Sequence, residues 1–299
     1  MGGRIGSCRE GSGLLVLCRL RHIGTYRPFL PVAQFSPLTF QSTVSLSRTE
    51  YKFWINAEQY CQWKDEISQR LAVDQNPGNS GDYPILSQYY DTAERDCYWE
   101  KQRGFKSRRK IRLRIYGSET AKIPPAGFLE VKHKLQGLGV KRRLPMSIED
   151  AQNFGLGDDD VLRGMYDQVP RSGRIIIDEV LGMRAAGHNP SMQIRYDRNA
   201  FSSPDGKLRI TFDNLLRCRP EFPKLLPDDQ DFSKFIIAEG ESIMEVKSIG
   251  AVPYWLRKRA GETGLSRRSF SKYCTSLEKH DPVLGSQLRQ ARQRQESAA

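Results

Sequence analysis

The sequence predicts an α+β domain: an antiparallel eight-stranded closed β-barrel with helices packed outside. Three observations predict it. Six short segments alternate charged and apolar residues, as in Lys110-Ile111-Arg112-Leu113-Arg114-Ile115 and Met244-Glu245-Val246-Lys247. Helical stretches fall between pairs of such segments rather than after each one, which favours an antiparallel sheet. Asp205-Gly206 separates two alternating runs and is a strong hairpin signal. Side chains on a strand alternate faces, so each segment places its charges on one side. About eight strands is the number that closes around side chains or one small ligand.

The elements follow in order. Arg48-Thr49-Glu50-Tyr51-Lys52-Phe53 reads as the first strand. Asn56 with Gln59 three residues on forms a capping box. Tyr60, Trp63, Ile67 and Leu71 then share one helical face. Residues 74–83 are polar and contain Gly and Pro, hence a loop; 85–92 return as a strand, and 97–101 read as a short further strand. The strands around Arg112 and Glu130 flank a connection over 117–127 that contains Pro124-Pro125. From 135 to 187 the pattern is helical, with Ser147 and Asp150 as an N-cap pair and an amphipathic helix over 175–185. The hairpin pairs 193–202 with 207–215. One or two strands occupy 235–249, and the chain is helical and basic from 251.

Composition narrows the function. Of the net +12, residues 1–47 carry +4 (five Arg against Glu10) and residues 253–299 carry +6 (ten Lys/Arg against Glu262, Glu278, Asp281 and Glu296), leaving +2 for 48–252. A wholly basic nucleic-acid-binding surface is not implied, and no nucleic acid is expected as partner. No apolar run reaches the roughly 18 residues of a membrane-spanning helix. Six cysteines without a CxxC pair and four scattered histidines read as reduced thiols in a cytoplasmic protein, with no zinc site. Residues 1–45, rich in Gly, Pro and Arg, read as a disordered or spurious N-terminal extension; 46–280 form the folded domain; 281–299 form a flexible basic tail.

The charged strand face carries the chemistry. Such a face on an antiparallel sheet is often merely solvated. Here, however, Arg112-x-Arg114 stacks two guanidinium groups on one side, and like charges so placed repel unless an anion lies between them. Glu-x-Lys recurs as Glu50/Lys52, Glu130/Lys132 and Glu245/Lys247. Carboxylates hold hard divalent cations, and ammonium groups hold phosphate oxygens. If the sheet closes, the enclosed charges need water, a polyanion and a metal ion to fill the space.

In these segments the chain resembles the VTC (vacuolar transporter chaperone) domain of the triphosphate tunnel metalloenzymes. The matching stretches include Arg48 to Trp54, Lys110 to Gly117, Glu130-Val131-Lys132, Arg195-Tyr196-Asp197-Arg198-Asn199-Ala200-Phe201, Arg209 to Asp213, Glu245-Val246-Lys247 and Ser269-Phe270-Ser271-Lys272-Tyr273, in that order over about residues 46–280. Arg48 stands where other branches of that superfamily carry the first of two Glu, which favours the VTC branch.

The resemblance implies a tunnel that binds ATP and inorganic polyphosphate with Mn or Mg and transfers the γ-phosphate to a growing chain. A tripolyphosphatase or nucleoside triphosphatase on the same scaffold, and a non-catalytic polyphosphate-binding module, are the alternatives. It implies Lys52, Arg112, Arg114 and Lys132 as catalytic residues. These four, with Lys134, Arg195, Arg209, Lys247 and Lys272, are the phosphate-binding set. Glu245, Glu130 and Glu50 are the expected metal ligands. A membrane-protein partner not encoded here fits the larger assemblies of that family.

Overall fold

Strand β2 (Arg48–Ile55) leads into helix α1 (Ala57–Ser68), and Asn56 and Gln59 close the expected capping box at its start. This computed structural model describes residues 43–44, 48–74, 82–118, 123–136, 138–287 and 290. The expectations for residues 1–42, for 75–81 and 119–122, and for the tail over 291–299 lie outside the described residues. Strands β1 (Thr43–Val44), β3 (Ala72–Val73), β4 (Asp82–Asp91), β5 (Ser107–Ser118), β6 (Ile123–Leu135) and β7 (Leu138–Met146) follow, with α2 (Asp96–Gln102) between β4 and β5. Helices α3 (Ile148–Gly155), α4 (Asp160–Met165) and α5 (Arg171–Ala185) precede β8 (Asn189–Ser202) and β9 (Leu208–Arg219). Then come β10 (Lys234–Phe235), β11 (Ser242–Ile249), α6 (Tyr254–Glu262) and α7 (Lys272–His280). Among the described residues no helix is long and apolar enough to cross a membrane.

Two segments depart from the sequence expectation. Residues 97–101 are helical, not extended. The Asp91 carboxylate accepts hydrogen bonds from the Cys97 and Tyr98 backbone N–H groups, and Thr92 Oγ1 accepts one from Asp96 N–H. These contacts satisfy the free donors of a helix start, which no five-residue pattern reveals. Residues 138–146 form a strand rather than the start of the helical region. They return along β6 in a tight hairpin, with Leu135 opposite Leu138 and Glu130 opposite Arg143. Pro124 and Pro125 fall inside the first residues of β6, beside the register shift at Tyr116/Ser118, where a missing N–H is tolerated.

All strands belong to one antiparallel sheet in the order β1-β7-β6-β5-β4-β8-β9-β11-β2, with β10 on β9 and β3 on β8. β6 and β2 are six strands apart along this path. In a flat sheet they would lie roughly 29 Å apart. Instead, Lys132 of β6 and Glu50 of β2 perturb one another electrostatically, so the sheet curls its charged face inward. The curl covers 207 degrees and stops there. The expected full closure is therefore corrected to a half-barrel: among the described residues no hydrogen-bonded pair joins β2 to β7 or β1.

The outer face is apolar and covered by helices. Ile111, Leu113, Ile115, Leu129, Val131 and Leu144 pack against Phe154, Leu162, Ile176 and Val180 of α3–α5. Ile210, Phe212, Met244 and Val246 pack against Trp63 and Ile67 of α1 and Leu256 of α6. On the inner face α7 contributes Tyr273, Cys274 and Leu277, which pack with Met192, Ile194, Tyr89 and the α2 residues Cys97 and Tyr98. Helices α1, α3–α5 and α6 thus fix the sheet from outside, as expected, whereas α7 and α2 cover one part of the inner face and leave its other strand positions to polar groups.

Close approach of α3 to β6 depends on Gly127. A Cβ there would stand 2.6 Å from Ala151 Cβ. Gly127→Ala is expected to destabilise the fold by roughly 1–3 kcal/mol, the usual cost of overpacking. Chemical denaturation checks this, and an unchanged midpoint would contradict the packing described.

Candidate functional site

Alternation along the strands delivers the inner charges. They are Glu50 and Lys52 from β2, Arg112 and Arg114 from β5, Glu130 and Lys132 from β6, and Lys141 and Arg143 from β7. Arg198 comes from β8, Arg209 and Asp213 from β9, and Glu245 and Lys247 from β11. Lys272 enters from the first turn of α7, whose N-cap is Ser271. Cations outnumber carboxylates, and the carboxylates are unevenly spread.

On one side, Glu130 is 1 % exposed and anchors three cations. Arg112 donates to it from Nε (2.9 Å) and Nη2, Lys141 from Nζ (3.2 Å), and Arg143 from Nε (2.8 Å). Burial alone would raise its pKa, but Arg112, Arg114, Lys141 and Arg143 hold it well below the usual carboxylate range. Burial and the flanking guanidinium groups push Lys141 down to about 8, against the pull of Glu130. Glu130 is committed to positioning guanidinium groups, which sets it apart from the other two candidate metal ligands.

On the other side, Arg198 makes a two-pronged ion pair with the fully buried Asp213, at 2.6 and 2.8 Å, and Lys272 donates to the same carboxylate. Next to them, Lys52 Nζ lies 3.2 Å from Glu50 and 3.8 Å from Glu245, while Lys247 pairs with Glu245. Register explains this group: Glu245 sits opposite Lys52, and Lys247 opposite Glu50. Burial and the proximity of Glu245 would raise the pKa of Glu50, but Lys52, Lys247 and Lys132 lower it. Glu245 is likewise held well below its ordinary value, despite burial, by Lys247, Lys52, Arg198 and Lys272.

Between the two groups the positive charge is uncompensated. The Arg114 guanidinium is buried, yet its partners are hydroxyls only: Ser87 Oγ at 3.2 Å and the phenols of Tyr116 and Tyr196 at 2.9 Å each. Among the described residues no carboxylate reaches salt-bridge distance of Arg114 or Lys132. Desolvation and the nearby Lys52, Arg112 and Lys247 push the Lys132 ammonium down, against the pull of Glu50. Tyrosine hydroxyls orient the guanidinium groups: Tyr89 accepts from Arg112 at 3.3 Å, and Tyr116 also accepts from Arg143 at 3.3 Å. Burial would raise the Tyr116 phenol, but Arg114 and Arg143 lower it to about 7.

The structure thus brings together Lys52, Arg112, Arg114, Lys132, Lys247, Lys272, Glu50, Glu130 and Glu245. Arg209 lies on the same face at its rim, with Nε 2.6 Å from Asp74. Lys134 lies farther along β6, opposite Arg108 in register. Arg195 does not join them. It lines the outer face beside Leu86, Ile115 and Asp229 and pairs with Asp197 at 3.1 Å. This corrects its expected role, and Arg198, three residues on, supplies the inner guanidinium. Sequence reading missed Arg198, Lys141, Arg143 and Tyr116. Lys141-Arg142-Arg143 is an unbroken charge run, so alternation does not show there. Arg198 shares its face of β8 with Met192, Ile194 and Tyr196, so the charged positions Arg195 and Asp197 that the alternation singled out are the outward ones.

This chain matches the VTC domain family over residues 47–280. The chain belongs to the VTC domain family. No curated protein matches it. Among solved structures it is similar to a protein described as a putative adenylate cyclase from Bacillus halodurans, at 12% identity and TM-score 0.39, covering 76% of this chain and 96% of that one. It is also similar to a Pyrococcus horikoshii protein at 10% identity and TM-score 0.36, covering 76% of this chain and 98% of that one. A conserved hypothetical protein from Pyrococcus furiosus gives 10% identity and TM-score 0.34, covering 75% and 98%.

Two outcomes test the site's electrostatics. Tyr116 is expected to ionise near pH 7 in the unliganded VTC domain, giving a phenolate absorbance step near neutrality that Tyr116→Phe abolishes; a first step only near pH 10 would contradict the geometry. Asp213→Asn leaves Arg198 and Lys272 buried without their counter-charge and is expected to cost roughly 3–5 kcal/mol. Because the Asp213 carboxyl is held below its unfolded value, its contribution is present above about pH 4 and lost on acidification below it. The variant should therefore lose less stability than the parent across that acid range.

Proposed function

We propose that this VTC domain is a polyphosphate polymerase-like phosphotransferase that binds ATP and inorganic polyphosphate along the inner face of the half-barrel. The observation that carries the proposal is the buried Arg114 guanidinium, beside Arg112 and Lys132, without a carboxylate of its own. A desolvated cation costs several kcal/mol unless an anion offsets it. Guanidinium forks match phosphate oxygens two at a time, and Lys acts as a point charge. A chain of condensed phosphates supplies negative charge at each unit along the face from Arg143 and Arg114 to Lys52 and Lys272. Membership of the family supports the same reading.

In the reaction, an oxygen of the acceptor's terminal phosphate forms the new bond to the γ-phosphorus. The bond from that phosphorus to the β,γ-bridging oxygen breaks, and ADP leaves with the electron pair. Phosphoryl transfer depends on positioning and on neutralising charge spread over the phosphate oxygens, so no protein nucleophile is needed. Arg112 and Arg114, fixed by Glu130 and by tyrosine hydroxyls, hold the reacting phosphates in line. Lys52, Lys132, Lys247, Arg198 and Lys272 neutralise the flanking units, and Arg209 and Lys134 extend the cationic surface at the rim.

Among the described residues no group of three or more His, Cys, Asp or Glu forms a ready-made metal cage. Glu50 and Glu245, both within reach of Lys52, do fit a hard divalent ion such as Mn or Mg, which is bound through one or two carboxylates and phosphate oxygens. When bound, that ion neutralises phosphate charge and assists the leaving group. Glu130 is the weaker ligand because it already holds three cations. One observation favours a second reading, a tripolyphosphatase: the sheet is open, so water reaches the inner face as an alternative acceptor.

The test supplies ATP and Mn and resolves products by size. Long phosphate chains with ADP support the polymerase, and orthophosphate alone supports the triphosphatase. Arg114→Ala and Glu245→Gln are each expected to reduce either activity by about a hundredfold or more, as for other lost transition-state contacts. Unchanged turnover in both variants would overturn the site.

A further inference from the structure

A second cavity lies on the opposite side of the sheet. It measures about 330 Å³, within the range of small-ligand sites. Tyr51 and Phe53 of β2, Met244 and Val246 of β11, Trp63 of α1 and Leu256 of α6 form its apolar wall. These are outward strand positions, so the cavity shares no lining residue with the cationic inner face. Two features point to what it would hold. Its wall is almost wholly apolar. Arg257 and Arg267 line the mouth, and neither forms an ion pair with a carboxylate of the described residues, although Arg259 and Lys258 on the same helix do. Arg267 instead stacks over the Tyr51 ring, 4.8 Å from its centre.

We propose that this cavity binds a single-chain amphiphilic anion: a medium-chain fatty acid whose hydrocarbon lies against Phe53, Met244 and Leu256 and whose carboxylate meets Arg257 and Arg267. An apolar cavity favours a hydrocarbon in proportion to the area it removes from water. A cationic mouth above it selects an anionic head over a neutral or positive one. The inference is independent of the phosphotransfer reading, and either can fail alone.

The probe is dodecanoate below its micellar concentration, added to the whole chain and followed by calorimetry and tryptophan fluorescence. Saturable one-to-one binding with a change in tryptophan emission is expected. Dodecylammonium should not bind. Charge reversal in Arg257→Glu/Arg267→Glu should weaken dodecanoate roughly tenfold or more, the value of a charge-assisted hydrogen bond.

Gly261 supplies a variant that keeps the fold. It lines the cavity, and a Cβ there meets nothing within 4 Å. Gly261→Leu therefore favours the helix while filling the mouth, and should abolish binding without lowering thermal stability. No saturable binding, equal binding of dodecylammonium, or undiminished binding by Gly261→Leu would each overturn the proposal. So would adsorption to phospholipid vesicles without uptake of free dodecanoate.

Discussion

The molecule is organised by one electrostatic constraint: a curled sheet concentrates like charges that a flat one would keep apart. Curling brings the cations of β5, β6 and β7 toward those of β2, β9 and β11. Repulsion then has to be met by carboxylates, by oriented hydroxyls or by a bound anion. The chain uses carboxylates at the flanks and hydroxyls around Arg114 in the middle.

The flanking carboxylates play different parts. Glu130 and Asp213 are fully buried and surrounded by guanidinium and ammonium donors, which makes them anchors that hold Arg112, Arg143, Arg198 and Lys272 in place. Glu50 and Glu245 pair with lysine ammonium groups rather than with guanidinium forks. Tyr89, Tyr116 and Tyr196 complete the arrangement by accepting from guanidinium groups, and Tyr116, lowered to about 7, carries part of a counter-charge at neutral pH. The inner cations are thereby held in fixed positions before any ligand arrives, the condition under which charged groups act most strongly on a bound anion.

Much of this was legible in the chain. Alternation in 48–53, 110–115, 129–134, 208–213 and 244–247 fixed which residues share the inner face, because a strand leaves its side chains no other choice. Capping chemistry at Asn56 and Ser147 and the turn at Asp205-Gly206 placed elements correctly, since each depends on neighbours three or four residues away. Arg112, Arg114, Lys132, Lys52 and Glu245 therefore appear together in the structure as the sequence implied.

What failed was decided at a distance. The 138–146 strand is extended because β6 offers it a partner, and its charge run hides the alternation. Helix α2 (Asp96–Gln102) starts where the Asp91 carboxylate accepts from its first backbone N–H groups. Arg195 faces outward because the regular alternation of β8 turns Met192, Ile194, Tyr196 and Arg198 inward and the residues between them outward, a choice of face that only the packing decides. Whether the sheet closes depends on accumulated curl over its full width, a sum that no single strand encodes. Periodicity and capping, being local, were set by the sequence alone; register, curvature and the pairing of each charge were set only when distant strands met.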